Sequence, residues 1–134
     1  MNTTFIVDLK NKPGELAKVT EAIAQKGIDI TAFSGSTCGD SGVLALVTDN
    51  EAGTRQALSD GQWKYRTIEL VEASLADRPG SLAEVTRRLA NAGVNIEAAF
   101  PIGVTGGDVH VAFATDNPSK AKQALGELAG AYSR

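Results

Sequence analysis

Two short segments carry the residue types most able to hold a ligand: Asn11-Lys12-Pro13-Gly14 and Asp77-Arg78-Pro79-Gly80. Each sits between a β-like stretch and a helix-like one. Proline suits the first turn of a helix, where no N–H is needed. Glycine lets the chain turn sharply and lets a second group come close. The residues that follow present unbonded N–H groups at the positive end of the helix dipole, which takes a carboxylate readily. The plainer reading is that Pro-Gly only starts the helix, with Asn11 or Asp77 bonding those amides. A second polar position recurs in Gly27-Ile28-Asp29-Ile30 and Gly93-Val94-Asn95-Ile96. With Ile28 and Ile30 apolar, Asp29 falls on the other face of a strand. It is either a solvent-facing polar residue or a side chain that holds the ammonium or amide end of a ligand at a domain interface.

Other reactive residue types are thinly spread. His110 lies in Asp108-Val109-His110-Val111, on the face opposite the valines, and reads as structural. Cys38 lies in a polar turn with no histidine near it in sequence to activate it, so it reads as an exposed thiol without a role. Trp63 and Tyr65 read as core or interface aromatics. Glu84, Arg87, Arg88, Lys18 and Glu21 read as solvated helix faces. Gly103-Val104-Thr105-Gly106-Gly107 does not lead into a helix, so it is no phosphate-binding loop. No nucleophile–base pair or acid–base dyad is visible, which argues against an enzyme such as a small phosphatase.

The elements that position these residues are written twice. Residues 11–33 and 77–99 are identical at ten of 23 aligned positions. The match extends backwards, Phe5, Val7 and Leu9 aligning with Val71, Ala73 and Leu75. With one extra residue it extends forwards, from Thr48-Asp49-Asn50 to Thr115-Asp116-Asn117 and from Gln56-Ala57-Leu58 to Gln123-Ala124-Leu125. A long period repeated only twice indicates sister domains, since a solenoid needs three or more repeats.

In the first copy, Thr3–Leu9 alternates as a half-buried strand. Glu15–Lys26 puts Leu16, Val19 and Ile23 on one helical stripe, stopped by Gly27. Ile28–Phe33 is β-rich, Gly35 to Gly42 makes a turn, and Val43–Val47 is a third strand. Asp49 or Asn50 caps a second helix to about Asp60, and Trp63–Glu69 is a fourth strand. The second copy repeats this through Ser81–Ala92, Val94–Phe100, Asp108–Ala114 and Ser119–Ala129. The order β-α-β-β-α-β predicts an α+β protein of two ferredoxin-like domains, residues 1–69 and 70–134, each an antiparallel sheet with helices on one face. The apolar parity slips between Leu70 and Val71, which predicts a bulge or sharp break there. Only Gly130-Ala131-Tyr132-Ser133-Arg134 follows Ala129, so the second copy has a truncated or missing last strand and an edge that is open or covered by a neighbour.

Composition narrows the function classes. The 134 residues are 43% hydrophobic and 22% charged, with net charge −3. That balance gives no electrostatic footprint for nucleic acid or an anionic membrane. An RNA-recognition domain shares the element order but needs exposed aromatics on its middle strands. Strand three here reads Val-Leu-Ala-Leu-Val and Val-His-Val-Ala-Phe. One cysteine makes no intrachain disulfide and no metal cluster. Met1 to Lys10 is too short and polar for a signal peptide, and no apolar run reaches membrane-spanning length. The expected location is the cytoplasm.

A strand, then [N/D]-[K/R]-P-G-x-L-A, an amphipathic helix, then G-[I/V]-[N/D]-I, resembles the ACT domain, and the resemblance covers nearly the whole chain as two such domains in tandem. It implies ligand sensing without chemistry or cofactor. ACT domains commonly bind amino acids or similar small molecules, pair side by side, and pass the bound state to an enzyme or regulator. Carried across, the ligand-binding residues are Asn11, Lys12, Pro13, Gly14, Leu16, Asp29 and Ile30. In the second copy they are Asp77, Arg78, Pro79, Gly80, Leu82, Asn95 and Ile96. Asn11, Asp29, Asp77 and Asn95 would hold the ligand by side chain. Gly14, Leu16, Gly80 and Leu82 would offer backbone amides. Leu9 and Leu75 depart from the family, some of whose ligand-binding members have a polar residue there. The acidic residues Asp29 and Asp77 should repel a ligand carboxylate and attract an ammonium, so the two sites should differ. The expected partners are a small-molecule ligand and a second copy of the chain or a regulated protein. The alternative is a ligand-free interaction module that dimerises or regulates a partner enzyme.

Overall fold

The computed structural model describes residues 2–130. The chain divides between Ile68 and Glu69 into two units, the second of which also takes in Asn2. The first unit comprises β1 (Thr3–Lys10), α1 (Glu15–Ala24), β2 (Ile30–Cys38), β3 (Ser41–Thr48), α2 (Glu51–Asp60) and the start of β4 (Tyr65–Ala76). Its strands lie in the order β2-β3-β1-β4. β3 is antiparallel to both β1 and β2. The second unit comprises the rest of β4, α3 (Ser81–Asn91), β5 (Ile96–Thr105), β6 (Asp108–Thr115) and α4 (Pro118–Leu125), closed by a 3-10 turn, Gly126–Leu128. Its strand order is β4-β6-β5, again antiparallel.

Each unit buries one sheet face against its two helices. Phe5, Val7, Val19, Ile23, Leu44, Leu46 and Leu58 make the first core. Val71, Ala73, Val85, Leu89, Val111, Phe113 and Leu125 make the second. The aromatic ring has changed strands between them. Phe5 faces Leu46 across the first ladder, and Val71 faces Phe113 across the second. One large and one smaller apolar side chain fill each pair, so the combined volume changes by a single methylene.

The strands depart from expectation in three places. First, β1 is not half-buried: Thr4 and Ile6, opposite Phe5 and Val7, are also buried. The Thr4 hydroxyl meets that burial by donating to the Leu46 carbonyl at 3.0 Å. Second, the segment from Gly35 is strand rather than turn. β2 stays paired to β3 through Cys38↔Ser41, leaving Gly39-Asp40 as the tip. Its polar residues are exposed, so no apolar alternation marks it. Third, no break falls at Leu70–Val71. β4 is one strand of 12 residues, and its ladder with β6 runs from Leu70 to Ala76 without a register shift. Leu70 and Val71 are both buried, on opposite faces of the strand. Two adjacent buried residues therefore need no bulge.

Among the described residues the last strand of the second unit amounts to one bridge. Ala129 pairs with Ala73, and the Gly130 N–H bonds the Glu72 carbonyl at 3.0 Å. The same edge of β4 is met at Leu70, whose N–H bonds the Asn2 carbonyl at 2.8 Å. Residues 131–134, also part of the expected C-terminal remnant, lie outside the described residues. Arg88 ties the closing turn to α3, donating to the Leu125 carbonyl at 3.1 Å and to Glu127 at 3.0 Å. That hydrogen bond from Arg88 holds the Glu127 carboxyl below its ordinary range. A depressed carboxylate stabilises the fold above its unfolded pKa, and the contribution fades as pH falls through the folded value. An NMR titration should find Glu127 titrating below the usual glutamate range, and Arg88→Ala should return it there.

Helix ends follow local chemistry. Asn50 and Asn117 cap α2 and α4, accepting from Gly53 and Lys120 amides. Gly27 and Gly93 take positive φ where α1 and α3 stop. At the end of α2 the equivalent residue is Gln62, at φ 59, with the Trp63 N–H closing the turn onto Leu58 at 3.0 Å. A side chain there is strained by roughly 1–2 kcal/mol, partly offset because glycine is freer in the unfolded chain. Gln62→Gly is therefore expected to raise stability by about 0.5–1 kcal/mol in urea denaturation.

Candidate functional site

Both Pro-Gly turns adopt one geometry. Gly14 (φ 88) and Gly80 (φ 90) sit in the left-handed region immediately before α1 and α3, and neither helix has a side-chain cap. The Glu15 and Ser81 amides bond back to Lys12 and Arg78 carbonyls. The Lys18 and Glu84 amides bond Gly14 and Gly80 carbonyls. Between them, the amides of Leu16 and Ala17, and of Leu82 and Ala83, meet no acceptor among the described residues. Asn11 and Asp77 do not fill that gap. Asn11 Nδ2 instead donates to the Gly39 carbonyl at 2.9 Å, and its backbone N–H to the Asp40 carbonyl at 3.0 Å, both at the β2–β3 tip. The Asp77 N–H makes the matching bond to Gly107 at 2.9 Å. As a carboxylate, Asp77 has no donor for a carbonyl and lacks the side-chain bond of Asn11.

Leu16 and Leu82 leave the helical stripe assigned to Leu16, with exposures of 47% and 54%. Val19 and Ile23 in α1, and Val85 and Leu89 with Ser81 in α3, carry the buried face. The exposed leucines border hollows at the turns. In the first unit the hollow measures about 450 Å³, with Asn11, Lys12, Glu15, Leu16 and Phe33 on its wall. In the second it measures about 300 Å³ and is walled by Leu75, Leu82, Phe100, Pro101, Val109 and Val111. Asp77, Arg78 and Ser81 supply its polar groups.

Two residues that the motif does not single out decide the character of these hollows. Ser81, the first residue of α3, is 8% exposed, and its hydroxyl has no hydrogen-bond partner. Its counterpart Glu15 places a carboxylate at the start of α1, paired with Lys18 at 3.3 Å. The one visible signal was the Glu/Ser exchange directly after Pro-Gly. Arg78 lies 3.8 Å from Glu84, which also approaches Arg88 at 3.7 Å.

Asp29 and Asn95 lie elsewhere. The Asp29 N–H bonds Asp49 Oδ1 at 3.0 Å and its carbonyl accepts from the Asp49 N–H at 3.1 Å. Asn95 and Asp116 repeat this clasp at 2.9 and 3.1 Å. The clasp closes the end of the β2–β3 ladder near Ile30↔Thr48, whereas Asn11 bonds its tip beyond Cys38↔Ser41. Eight strand steps, about 26 Å, separate those ends. Within one unit the two polar positions are not brought together. Ile30 and Ile96 pack on the cores of their own units. Lys12, Pro13, Arg78 and Pro79 are exposed at the turns. Cys38 is an exposed free thiol ending β2. Among the described residues no cluster of His, Cys, Asp and Glu could hold a metal, and no helix is long and apolar enough to cross a membrane.

Residues 70–130 match the family model of the ACT domain. None of the curated proteins matches the chain. Among solved structures it is similar to protein BT0572 from Bacteroides thetaiotaomicron, at 27% identity and a TM-score of 0.76, over 92% of this chain and 85% of that one. It is also similar to the ligand-free regulatory subunit of aspartate kinase from Thermus thermophilus, at 19% identity and a TM-score of 0.67, over 92% and 87%. The corresponding subunit from Thermus flavus gives 18% and 0.66, over 93% and 91%. The last two likenesses are of fold. The α+β pattern with antiparallel sheets is thus consistent with an ACT, ferredoxin-like fold.

A Cβ built at Gly80 meets no atom within 4 Å, so only its backbone angle resists substitution. Gly80→Ala is expected to cost about 1–2 kcal/mol in thermal or urea unfolding while keeping the fold.

Proposed function

We propose that the chain is a non-catalytic regulatory protein of two tandem ACT domains, residues 1–69 and 70–134, which binds a small molecule, an amino acid, and passes its state to a partner. One observation carries this reading: uncapped helix amides open beside an apolar-walled hollow at a Pro-Gly turn, within the segment that matches the ACT model. Such an end attracts a carboxylate, and Asp77 beside it suits an ammonium group. The hollow falls at the small end of the range for ligand pockets. Asn11 and Asp29, or Asp77 and Asn95, would share one ligand only where two ACT units meet, each giving one end of its sheet. The repeat of turn, clasp and core in both halves supports the tandem reading.

A second reading is favoured by one surface. In the first unit Leu16 and Phe33 are exposed, Phe33 at 66%, on the face formed by α1 and the edge strand β2. A ligand-free module that pairs with a second copy or a partner enzyme would use it. A thermal-shift screen of the full chain against the twenty amino acids separates the two. A ligand at a hundred times its dissociation constant is expected to add about 2.7 kcal/mol. No shift with any amino acid would overturn the ligand-binding reading in favour of the pairing one.

A further inference from the structure

We infer that the chain assembles through its first unit alone: β2 takes a second copy, and Pro101 bars the matching strand of the second unit, which stops assembly at a dimer. This rests on the pairing surface named above and says which partner it fits.

The two outer strands occupy matching places, β2 beyond β3 and β5 beyond β6. Their registers set Phe33 opposite Leu46 and Ala99 opposite Phe113, then Gly35 opposite Leu44 and Pro101 opposite Val111. Thr31, Phe33 and Gly35 of the first strand thus correspond to Glu97, Ala99 and Pro101 of the second. Each exchange acts against pairing in the second unit. Ala99 offers far less apolar surface than Phe33, which is 66% exposed. Proline has no N–H to give an added strand, and within a sheet it is confined to outer edges and bulges. The register also slips between Pro101 and Gly103, and a bulge twists an edge away from a neighbour. Glu97 adds an exposed charge. By contrast β2 runs for nine residues, Ile30–Cys38, without proline or charge. Its slip between Ile30 and Ala32 has a match at Ile96 and Ala98, so it does not distinguish the two strands.

The occupant is a second copy because this edge is complementary to itself. The hairpin closes at Cys38↔Ser41 across Gly39-Asp40, with Gly39 at φ 61. In a two-residue hairpin the closing pair is hydrogen-bonded, and bonded and unbonded pairs alternate from it. Phe33, Gly35 and Thr37 therefore direct their main-chain groups away from β3, to the open edge. An antiparallel copy centred on Gly35 sets Phe33 opposite Thr37 on one face, twice over across the two-fold axis. An aromatic ring opposite a β-branched residue is a stabilising cross-strand pair, and no like charges meet. Phe33 also walls an apolar hollow of about 440 Å³ with Leu16, Ile30 and Leu44, which extends the surface from the strand to α1.

Sedimentation velocity of the full chain over a concentration series tests this. Wild type is expected to form dimers and nothing larger. Phe33→Glu, and Gly35→Pro, which gives β2 the residue of β5, should each raise the dimer dissociation constant about thirtyfold or more. Far-UV circular dichroism and thermal unfolding should show that the fold is kept. The converse variant, Glu97→Thr with Ala99→Phe and Pro101→Gly, should form species larger than a dimer. Spin labels on Cys38, the one cysteine, should report a separation of about 20 Å in the wild-type dimer, since that register sets the two labelled positions six strand steps apart. A monomeric wild type, a dimer indifferent to both β2 variants, labels much farther apart, or a converse variant that stays dimeric would overturn the inference. Each of those results leaves amino-acid binding to the thermal-shift screen, and a failed screen leaves the dimer standing.

Discussion

In each unit the central ladder holds one aromatic ring against one aliphatic side chain, Phe5 on Leu46 and Val71 on Phe113. These pairs face the helices, and the rest of each unit follows from them. A slip of one residue would turn every core side chain to the other face, so the pairs pin the register. The register in turn fixes where β1 and β4 run out and where the chain must turn back into a helix. The Pro-Gly turns occur at those points. Val19 and Ile23, or Val85 and Leu89, then anchor each helix on the ring and its neighbours. The helix start is held from below by packing, and so it can dispense with a side-chain cap.

That arrangement leaves positive charge at two places in the molecule, and the chain treats them differently. In the first unit the residue after the glycine supplies its own negative charge. In the second the same position carries a neutral hydroxyl, buried and unbonded. The surrounding charges change in step, Lys18 beside Glu15 giving way to Glu84 between two arginines. The core pairs swap ring and aliphatic side chain with a net change of one methylene, whereas these exchanges alter the local field.

Much of this was legible in the residues. The repeat, the element order and the core positions came from apolar spacing and self-similarity, because burial on one face leaves a period in the sequence. The extended hairpin arms did not. Ser34, Gly35 and Ser36 form strand through main-chain pairing alone, and exposed polar residues leave no period to read. The parity at Leu70–Val71 misled because a strand buried on both faces looks like a strand with a bulge. At the turns, the motif located the open amides, but the hydrogen bond of Asn11 to a hairpin 28 residues away and the buried state of Ser81 depend on tertiary packing. Leu16 fitted the helical stripe by spacing and yet is exposed at the rim of a hollow that it shares with Phe33 and Leu44.

The clasp at the start of β2 and β5 bears on how the two halves differ. Residues 29 and 95 enter it through their main-chain N–H and carbonyl, and only Asp49 and Asp116 contribute a side chain. Mutation at the first position is therefore nearly neutral to the clasp, and the halves differ there, Asp in one and Asn in the other. At the second position a change to a residue without a side-chain oxygen removes an acceptor, and both halves keep aspartate. Folding therefore constrains one member of each pair through its side chain and leaves its neighbour's side chain unconstrained by the clasp.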